Sequence, residues 1–219
     1  MYSKNLSNFM SQLSFDFYSF AVEKTFVLLP ENTVSYRHLM HFFANENQGN
    51  TFILLGPSKS GKNCLLNHCA KLNNKTIAII DDYLQENPWQ LLPNQYYVLK
   101  DFTKLTEINL FHLLNIANER RACLILLDNQ ECNFLLPDLM SRLNNINQQA
   151  ILLPSKNSLQ QILLANLADK QIVLPANIVD YLLKNAVSYE DLYVLLKKLE
   201  FFYEENNKKI SLTQLKKLF

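Results

Sequence analysis

The chain has 219 residues, of which 48% are apolar and 19% charged. This balance excludes an intrinsically disordered chain and predicts one globular unit, with room for a small second domain. The net charge of +1 excludes strong nonspecific binding to nucleic acid or anionic lipid through charge alone. The apolar runs are far shorter than the ~20 residues that span a membrane, and the amino terminus shows no secretory pattern, so we expect a cytoplasmic protein.

Five apolar runs of strand length predict the strands of a buried sheet; they cover residues 51–56, 76–80, 96–99, 123–127 and 150–153. Helical periodicity follows the first, third, fourth and fifth runs, over residues 62–72, 107–119, 135–143 and 158–167. Strands joined by helical crossovers predict an α/β fold with a mostly parallel, helix-covered sheet. After Pro175 the pattern is purely helical, over residues 176–184, 189–202 and 212–218, with Ser188 and Ser211 as expected caps. A small helical domain is therefore expected at the end of the chain.

The four cysteines are Cys64, Cys69, Cys123 and Cys132. No two of them form a Cys-x-x-Cys pair, and two lie inside apolar segments, where a thiol behaves as a small hydrophobe. We therefore expect reduced, buried cysteines rather than a metal or redox site.

Residues 56–63 read Gly-Pro-Ser-Lys-Ser-Gly-Lys-Asn, which matches the phosphate-loop pattern G-x-x-x-x-G-K-[ST] except at its last residue. The segment lies between a predicted strand and a predicted helix, as the pattern requires. Gly56 and Gly61 are expected to let backbone N–H groups approach phosphate oxygens, and Lys62 to place its ammonium against the β- and γ-phosphates. Ser60 belongs to the same loop and is expected to bind the nucleotide with them.

Asn63 stands where the pattern has the Ser or Thr hydroxyl that binds Mg²⁺. Its amide oxygen is a different metal ligand, so we expect nucleotide binding with a weaker dependence on metal. Asp101 follows the third predicted strand and is the candidate for the second Mg²⁺ ligand, the alternative being an ordinary strand-end carboxylate. Phe102 comes next and cannot polarise an attacking water.

The phosphate loop, the order of strands and the terminal helices resemble the AAA+ ATPases, and two segments narrow the resemblance to the DnaA/Hda family. Residues 26–32, Phe-Val-Leu-Leu-Pro-Glu-Asn, are similar to F-V-x-G-P-x-N near the adenine pocket, with Leu29 in place of the glycine. Residues 136–143, Leu-Pro-Asp-Leu-Met-Ser-Arg-Leu, resemble the L-x-D-x-x-S-R-[LF] segment that carries the arginine finger. The resemblance covers nearly the whole chain and implies an AAA+ core over residues 25–167 and a helical lid domain over 168–219.

By this resemblance, Arg142 is the arginine finger that reaches a nucleotide bound by a neighbouring subunit, and Asp128 is the polar first sensor. Asn129 stands where the family has a basic residue, and Glu190 where its lid has the nucleotide-sensing arginine. A carboxylate at residue 190 repels a γ-phosphate. The expected cofactor is ADP or ATP, with Mg²⁺ as a possible companion, at a site that hydrolyses ATP slowly or not at all.

Residues 12–17, Gln-Leu-Ser-Phe-Asp-Phe, are similar to the Q-L-S-L-x-[LF] peptide with which Hda binds the sliding clamp. A side-chain amide and several apolar anchors are what a short extended peptide needs to enter a hydrophobic groove. The alternative is that the segment folds back onto its own domain. The residues expected to bind the clamp are Gln12, Leu13, Ser14, Phe15 and Phe17, within an amino-terminal segment of residues 1–24.

The resemblance implies a regulator of replication initiation whose partners are the β clamp of DNA polymerase III and DnaA. Because the resemblance ends at the lid, we expect no helix-turn-helix domain and no direct sequence-specific DNA binding; we also expect no membrane contact. Head-to-tail self-association is a further possibility. Two alternatives stay open at this stage: a non-enzymatic clamp adaptor with a vestigial nucleotide loop, and an independent loader-type ATPase.

Overall fold

The computed structural model describes residues 26–45, 50–80, 91–129 and 134–205. The strands are β1 Thr51–Leu55, β2 Ile77–Ile80, β3 Tyr96–Lys100, β4 Cys123–Asp128 and β5 Asn147–Ala150. The helices are α1 Thr33–Ala44, α2 Lys62–Leu72, α3 Glu107–Arg120, α4 Pro137–Asn144, α5 Lys156–Asp169, α6 Ala176–Asn185 and α7 Tyr189–Glu205, and a 3-10 turn at Phe102–Lys104 follows β3.

The five described strands form one sheet in the order β2-β3-β4-β1-β5, and every neighbouring pair is parallel. The predicted α/β fold is thus confirmed. In the centre of the sheet, β1 and β4 end together, with Leu55 paired to Asp128. Because all the strands run in one direction, the chain segments that follow β1, β3 and β4 lie along the same edge, where parallel α/β sheets commonly bind ligands.

Alternate residues of the central strands enter two separate apolar layers, as the two-residue period of a strand requires. Ile53 and Leu55 pack with residues of α3 and α4, whereas Phe52 and Leu54 pack with residues of α1 and α2. Both faces of the sheet are therefore buried, which explains why its inner strands are continuously apolar.

Helices α5, α6 and α7 share a third apolar cluster, which also takes in Leu29 from the segment before α1. The core-to-lid boundary expected at residue 168 falls in the last turn of α5, whose buried residues Leu159, Ile162 and Leu163 pack in this cluster. Helix α7 begins with Ser188 as its cap: the Ser188 hydroxyl accepts a hydrogen bond from the Asp191 N–H, and the Asp191 carboxylate accepts one from the Ser188 N–H.

The prediction for the fifth strand was wrong in position. The apolar run at 150–153 suggested a strand, but β5 is Asn147–Ala150 and has the sequence Asn-Gln-Gln-Ala. It pairs only with β1, at the edge of the described sheet, and three of its four residues are exposed, so no apolar pattern marks it. Ile151, just beyond the strand, is buried and packs in the same apolar layer as residues of α1 and α2.

Several sequence predictions lie outside the described residues: the clamp-binding segment, Cys132, the helix at 212–218 and its cap Ser211. Among the described cysteines, Cys69 and Cys123 are buried as predicted, whereas Cys64 is only partly buried. Burial raises the pKa of the Cys69 thiol to about 12. Within the described part of the chain, no helix is long and apolar enough to cross a membrane.

Candidate nucleotide-binding site

The loop between β1 and α2 has a backbone that requires glycine at two positions. Gly56 has a φ of +151° and Gly61 a φ of +94°, conformations that side chains rarely permit. A Cβ on Gly56 would lie 2.4 Å from the carbonyl oxygen of Ile151, so there is no room for one. The loop therefore passes directly against the end of β5, and α2 begins at Lys62 with the N–H groups of its first turn directed toward the loop.

The Lys62 ammonium lies within this loop. It donates hydrogen bonds to the carbonyl oxygens of Gly56 and Pro57, the latter at 3.0 Å, and to Oδ1 of Asn129 at 3.1 Å. Partial burial lowers the pKa of the Lys62 ammonium, although the carboxylates of Asp128 and Asp101 oppose that shift. An anion entering the loop would thus meet a partly desolvated positive charge, where charge–charge attraction is stronger than in water.

Ser60 of the same loop carries a buried hydroxyl. The residue is only 7% exposed, and its hydroxyl oxygen has no hydrogen-bond partner among the residues that the structure describes. A buried hydroxyl without a partner is costly, so it commonly marks the place of a ligand or an ordered water. Ser60 is one of the residues that the sequence predicted to bind nucleotide, and its hydroxyl is able to form a hydrogen bond with a ligand.

The two predicted carboxylates lie at the same edge of the sheet in different environments. Asp101, directly after β3, has a φ of +50° and pairs with the ammonium of Lys104 at 2.7 Å. Asp128 is 5% exposed; one of its oxygens accepts hydrogen bonds from the N–H and the hydroxyl of Thr103, and the other accepts from the Asn129 N–H. Asp128 therefore fixes the turn after β3. No local sequence signal identified Thr103, because its partner is 25 residues away.

A cavity of about 1040 Å³ opens between the loop and α7. Its lining includes all the predicted phosphate-loop residues from Ser60 to Asn63, both carboxylates of the sheet edge, and Glu190 on α7. Six lysines face three carboxylates among the described residues of this lining, so the cavity favours an anionic ligand. The lysines are Lys59, Lys62, Lys71, Lys100, Lys197 and Lys198.

Helix α7 closes the cavity through contacts with the loop. The Lys59 ammonium lies 3.2 Å from a carboxylate oxygen of Asp191. The Tyr189 hydroxyl lies 3.2 Å from Sγ of Cys64, and its ring lies beside Gly61. Helix α7 and the loop are therefore in direct contact, and Tyr189 is a site residue that sequence reasoning did not single out.

Several solved structures are similar in fold to this chain. Domain III of the replication initiation protein DnaA from Thermotoga maritima is similar with a TM-score of 0.69 at 15% identity, over 89% of this chain and 93% of that one. The AMPPCP-bound DnaA from Aquifex aeolicus has a TM-score of 0.63 at 18% identity, over 80% of this chain and 63% of that one. The fold is that of an AAA+ domain.

The Holliday junction branch migration motor RuvB from T. maritima has the same fold, with a TM-score of 0.65 at 12% identity, over 87% of this chain and 68% of that one. No protein-family model matches the sequence, and neither does any curated protein. Structural similarity thus shows the fold of this chain.

Arg142 lies on α4 and is exposed at the surface. Its guanidinium donates a hydrogen bond to Oδ1 of Asn115 and lies 4.5 Å from the centre of the Phe111 ring, so α3 orients it. Arg142 does not line the cavity beside the phosphate loop. The structure therefore brings together Gly56, Ser60, Gly61, Lys62, Asn63, Asp101 and Asp128 but leaves Arg142 outside this group.

Magnesium remains a prediction. Asn63 and Asp101 both line the cavity and offer the oxygen ligands that Mg²⁺ prefers. No group of three or more His, Cys, Asp or Glu side chains within the described residues could hold a metal ion by itself. A Mg²⁺ ion here would need phosphate oxygens and water to complete its six ligands, and Asn63 and Asp101 would hold it against them.

Proposed function

We propose that this chain is a DnaA-related AAA+ regulator of replication initiation that binds ADP or ATP and hydrolyses it slowly or not at all. The observation that carries the binding proposal is the buried hydroxyl of Ser60, which has no hydrogen-bond partner among the described residues and belongs to a residue lining the same lysine-rich cavity as Lys62. Together these groups provide a donor, a charge and backbone N–H groups for a phosphate chain.

Slow hydrolysis is proposed because three side chains lack the chemistry of the step. Phe102 is 1% exposed and packs into the sheet core, so it offers no carboxylate to orient an attacking water. Asn63 replaces the hydroxyl that would bind Mg²⁺, and Glu190 brings a negative charge to the cavity. Each change removes stabilisation directed at the γ-phosphate, which lowers the rate more than the binding affinity.

The proposed action is on a partner's nucleotide. Arg142 is exposed and lies outside the chain's own cavity, so any charge it contributes to hydrolysis would act on a nucleotide held by another AAA+ subunit. The partner proposed from the sequence resemblance is DnaA. The contacts of the guanidinium with Asn115 and Phe111 would keep it oriented until that partner binds.

The partner role is tested by measuring ATP turnover by DnaA with this protein and DNA-loaded clamp. Wild-type protein should raise the turnover, and Arg142→Ala should reduce the stimulated rate about tenfold or more, since arginine fingers contribute large factors. The matched control is Arg120→Ala, which removes another exposed arginine at the end of α3 and should leave stimulation intact. Stimulation by the Arg142 variant equal to that of wild type would exclude the finger role.

The proposed clamp contact, through residues 12–17, has a separate test. Replacing Gln12, Phe15 and Phe17 together by alanine removes the amide and two aromatic anchors, so clamp binding measured by surface plasmon resonance should be lost. Retention of clamp binding would assign these residues to the alternative, a segment packed on its own domain.

A second candidate function is favoured by the hydrogen bonds of Lys62. Its ammonium already has three oxygen partners within the protein, as expected if the loop is structural and the chain is a non-enzymatic clamp adaptor. Calorimetry distinguishes the two: the adaptor would bind clamp but neither ADP nor ATP.

A further inference from the structure

The segment expected to form an adenine pocket leaves almost no space for a base. A cavity beside Phe26, Leu29, Asn32, Gly61 and Tyr189 has a volume of about 30 Å³. That is roughly the share of liquid volume of one water molecule, whereas small-molecule pockets occupy roughly 300–1,000 Å³. A purine ring therefore does not fit between residues 26–32 and the phosphate loop in this arrangement.

Tyr189 lines this small cavity beside the loop. Its Cγ lies 3.9 Å from where a Cβ of Gly61 would be, and its hydroxyl contacts Sγ of Cys64. Burial raises the pKa of Tyr189 far above its usual value, so the hydroxyl stays neutral. Leu29, which replaces the glycine of the family pattern, is 5% exposed and packs among α5, α6 and α7.

The position of Tyr189 is fixed by its neighbours. Ser188 and Asp191 cap the first turn of α7 by reciprocal hydrogen bonds. The same Asp191 carboxylate pairs with Lys59 of the phosphate loop at 3.2 Å. A hydrogen-bonded cap and an ion pair therefore hold this turn, and the tyrosine within it, against the loop.

Two aromatic rings that line the larger cavity are already in contact with other side chains. Of its aromatic rings, His68 is stacked on Phe26, with ring centres 4.1 Å apart, and Tyr193 has the Lys197 ammonium 5.0 Å from its ring centre. One face of each ring is thus already covered. Lysines, carboxylates and amides make up most of the other lining residues, and the lysine ammonium groups suit phosphate oxygens.

We infer that this site recognises the phosphate chain of its ligand and not the base. It would bind nucleoside diphosphates and triphosphates of any base, and inorganic tripolyphosphate, with similar affinity. The inference rests on the proposed nucleotide site, which it deepens by naming the ligand class. The charge and donors of the loop supply the affinity, and Tyr189 excludes the contacts that would distinguish adenine from guanine.

The inference is tested on the full chain by calorimetric titration with ATP, GTP and tripolyphosphate. The expected dissociation constants agree within about threefold, a difference of less than 1 kcal/mol. A preference of about tenfold or more for ATP over GTP or tripolyphosphate would overturn the inference while leaving the proposed function in place. Binding of none of the three would overturn the proposed function itself, and the inference with it.

A variant of Tyr189 tests whether this side chain is what excludes the base. Tyr189→Ala vacates the place beside Gly61, so ATP should gain about tenfold in affinity over tripolyphosphate. The matched control is Tyr181→Ala, which removes a tyrosine packed on the helical cluster but lining neither cavity; it should keep the three affinities alike. Equal affinities in the Tyr189 variant would show that Tyr189 is not what excludes the base, even if the wild-type comparison holds.

Discussion

At the scale of single residues, Gly56 is the position where the loop has least freedom. Replacing it by alanine puts a Cβ 2.4 Å from the Ile151 carbonyl oxygen and retains a φ of +151°. We expect Gly56→Ala to lower the free energy of unfolding by about 1–3 kcal/mol, through overpacking and backbone strain. Urea denaturation measures this, with Ser58→Ala at an exposed residue of the same loop as the control. Equal midpoints for the two variants would contradict the close approach.

We expect the free energy of unfolding to depend on pH through the carboxyl group of Glu31. Burial raises the pKa of its carboxyl, but hydrogen bonds from the Ser155 N–H and the Ser158 hydroxyl outweigh burial, so the net pKa lies below 4.5. A lowered pKa in the folded state means that the carboxylate stabilises the fold above its unfolded pKa and that this contribution is lost as the pH falls through the folded value.

Glu31→Gln should therefore reduce the free energy of unfolding at pH 7, and the difference from wild type should shrink below about pH 4.5. Chemical denaturation over a pH series measures this. Glu119→Gln, at an exposed residue of α3, is the control and should show no such trend. A Glu31 difference that is constant from pH 7 to the acid range would contradict the assignment.

Local patterns predicted the residues of the phosphate loop because Gly56, Gly61 and Lys62 all belong to one octapeptide motif. Local patterns missed Thr103 and Tyr189, whose partners Asp128 and Cys64 are 25 and 125 residues away. Such contacts depend on the strand order and on how α7 returns to the loop, and neither is encoded in a short sequence window.

At the scale of elements, the first turn of α7 both caps the helix and contacts the loop of the site. The Ser188 hydroxyl accepts from the Asp191 N–H, and loss of such a cap costs about 1 kcal/mol. Ser188→Ala should lower the free energy of unfolding by about that amount, measured by urea denaturation. Ser141→Ala, at an exposed residue within α4, should change it by less than about 0.5 kcal/mol. A Ser188 variant as stable as wild type would show that this cap contributes nothing.

Apolar periodicity predicted the inner strands and most helices closely, because both faces of β1 and β4 are buried. It placed β5 three residues too far along the chain. This strand pairs with β1 at the edge of the described sheet and is mostly exposed, so its residues show no apolar pattern. The helix Thr33–Ala44 carries buried Leu39 and Phe43, but it was not assigned among the predicted elements. Strand β5 thus lies at the edge of the described sheet, whereas the omitted helix packs directly against the central strand β1.

At the scale of the whole molecule, the parallel sheet brings the ends of β1, β3 and β4 to one edge, and α7 covers that edge from the other side. This arrangement assembles the lysine-rich cavity from segments that are more than 100 residues apart. It also places Arg142 outside that cavity, as the proposed action on a partner requires. The proposed partner, DnaA, rests on the sequence resemblance, since fold similarity does not by itself assign a function.

The central claim is that the loop of residues 56–63 binds a nucleotide through Lys62. Calorimetric titration of the full chain with ATP and with ADP tests it most directly, beside Lys62→Ala and the control Lys184→Ala, an exposed lysine at the end of α6. The account predicts saturable binding by wild type and the control, and affinity at least about tenfold weaker in Lys62→Ala. Absence of binding by wild type, or equal affinity in the Lys62 variant, would contradict it.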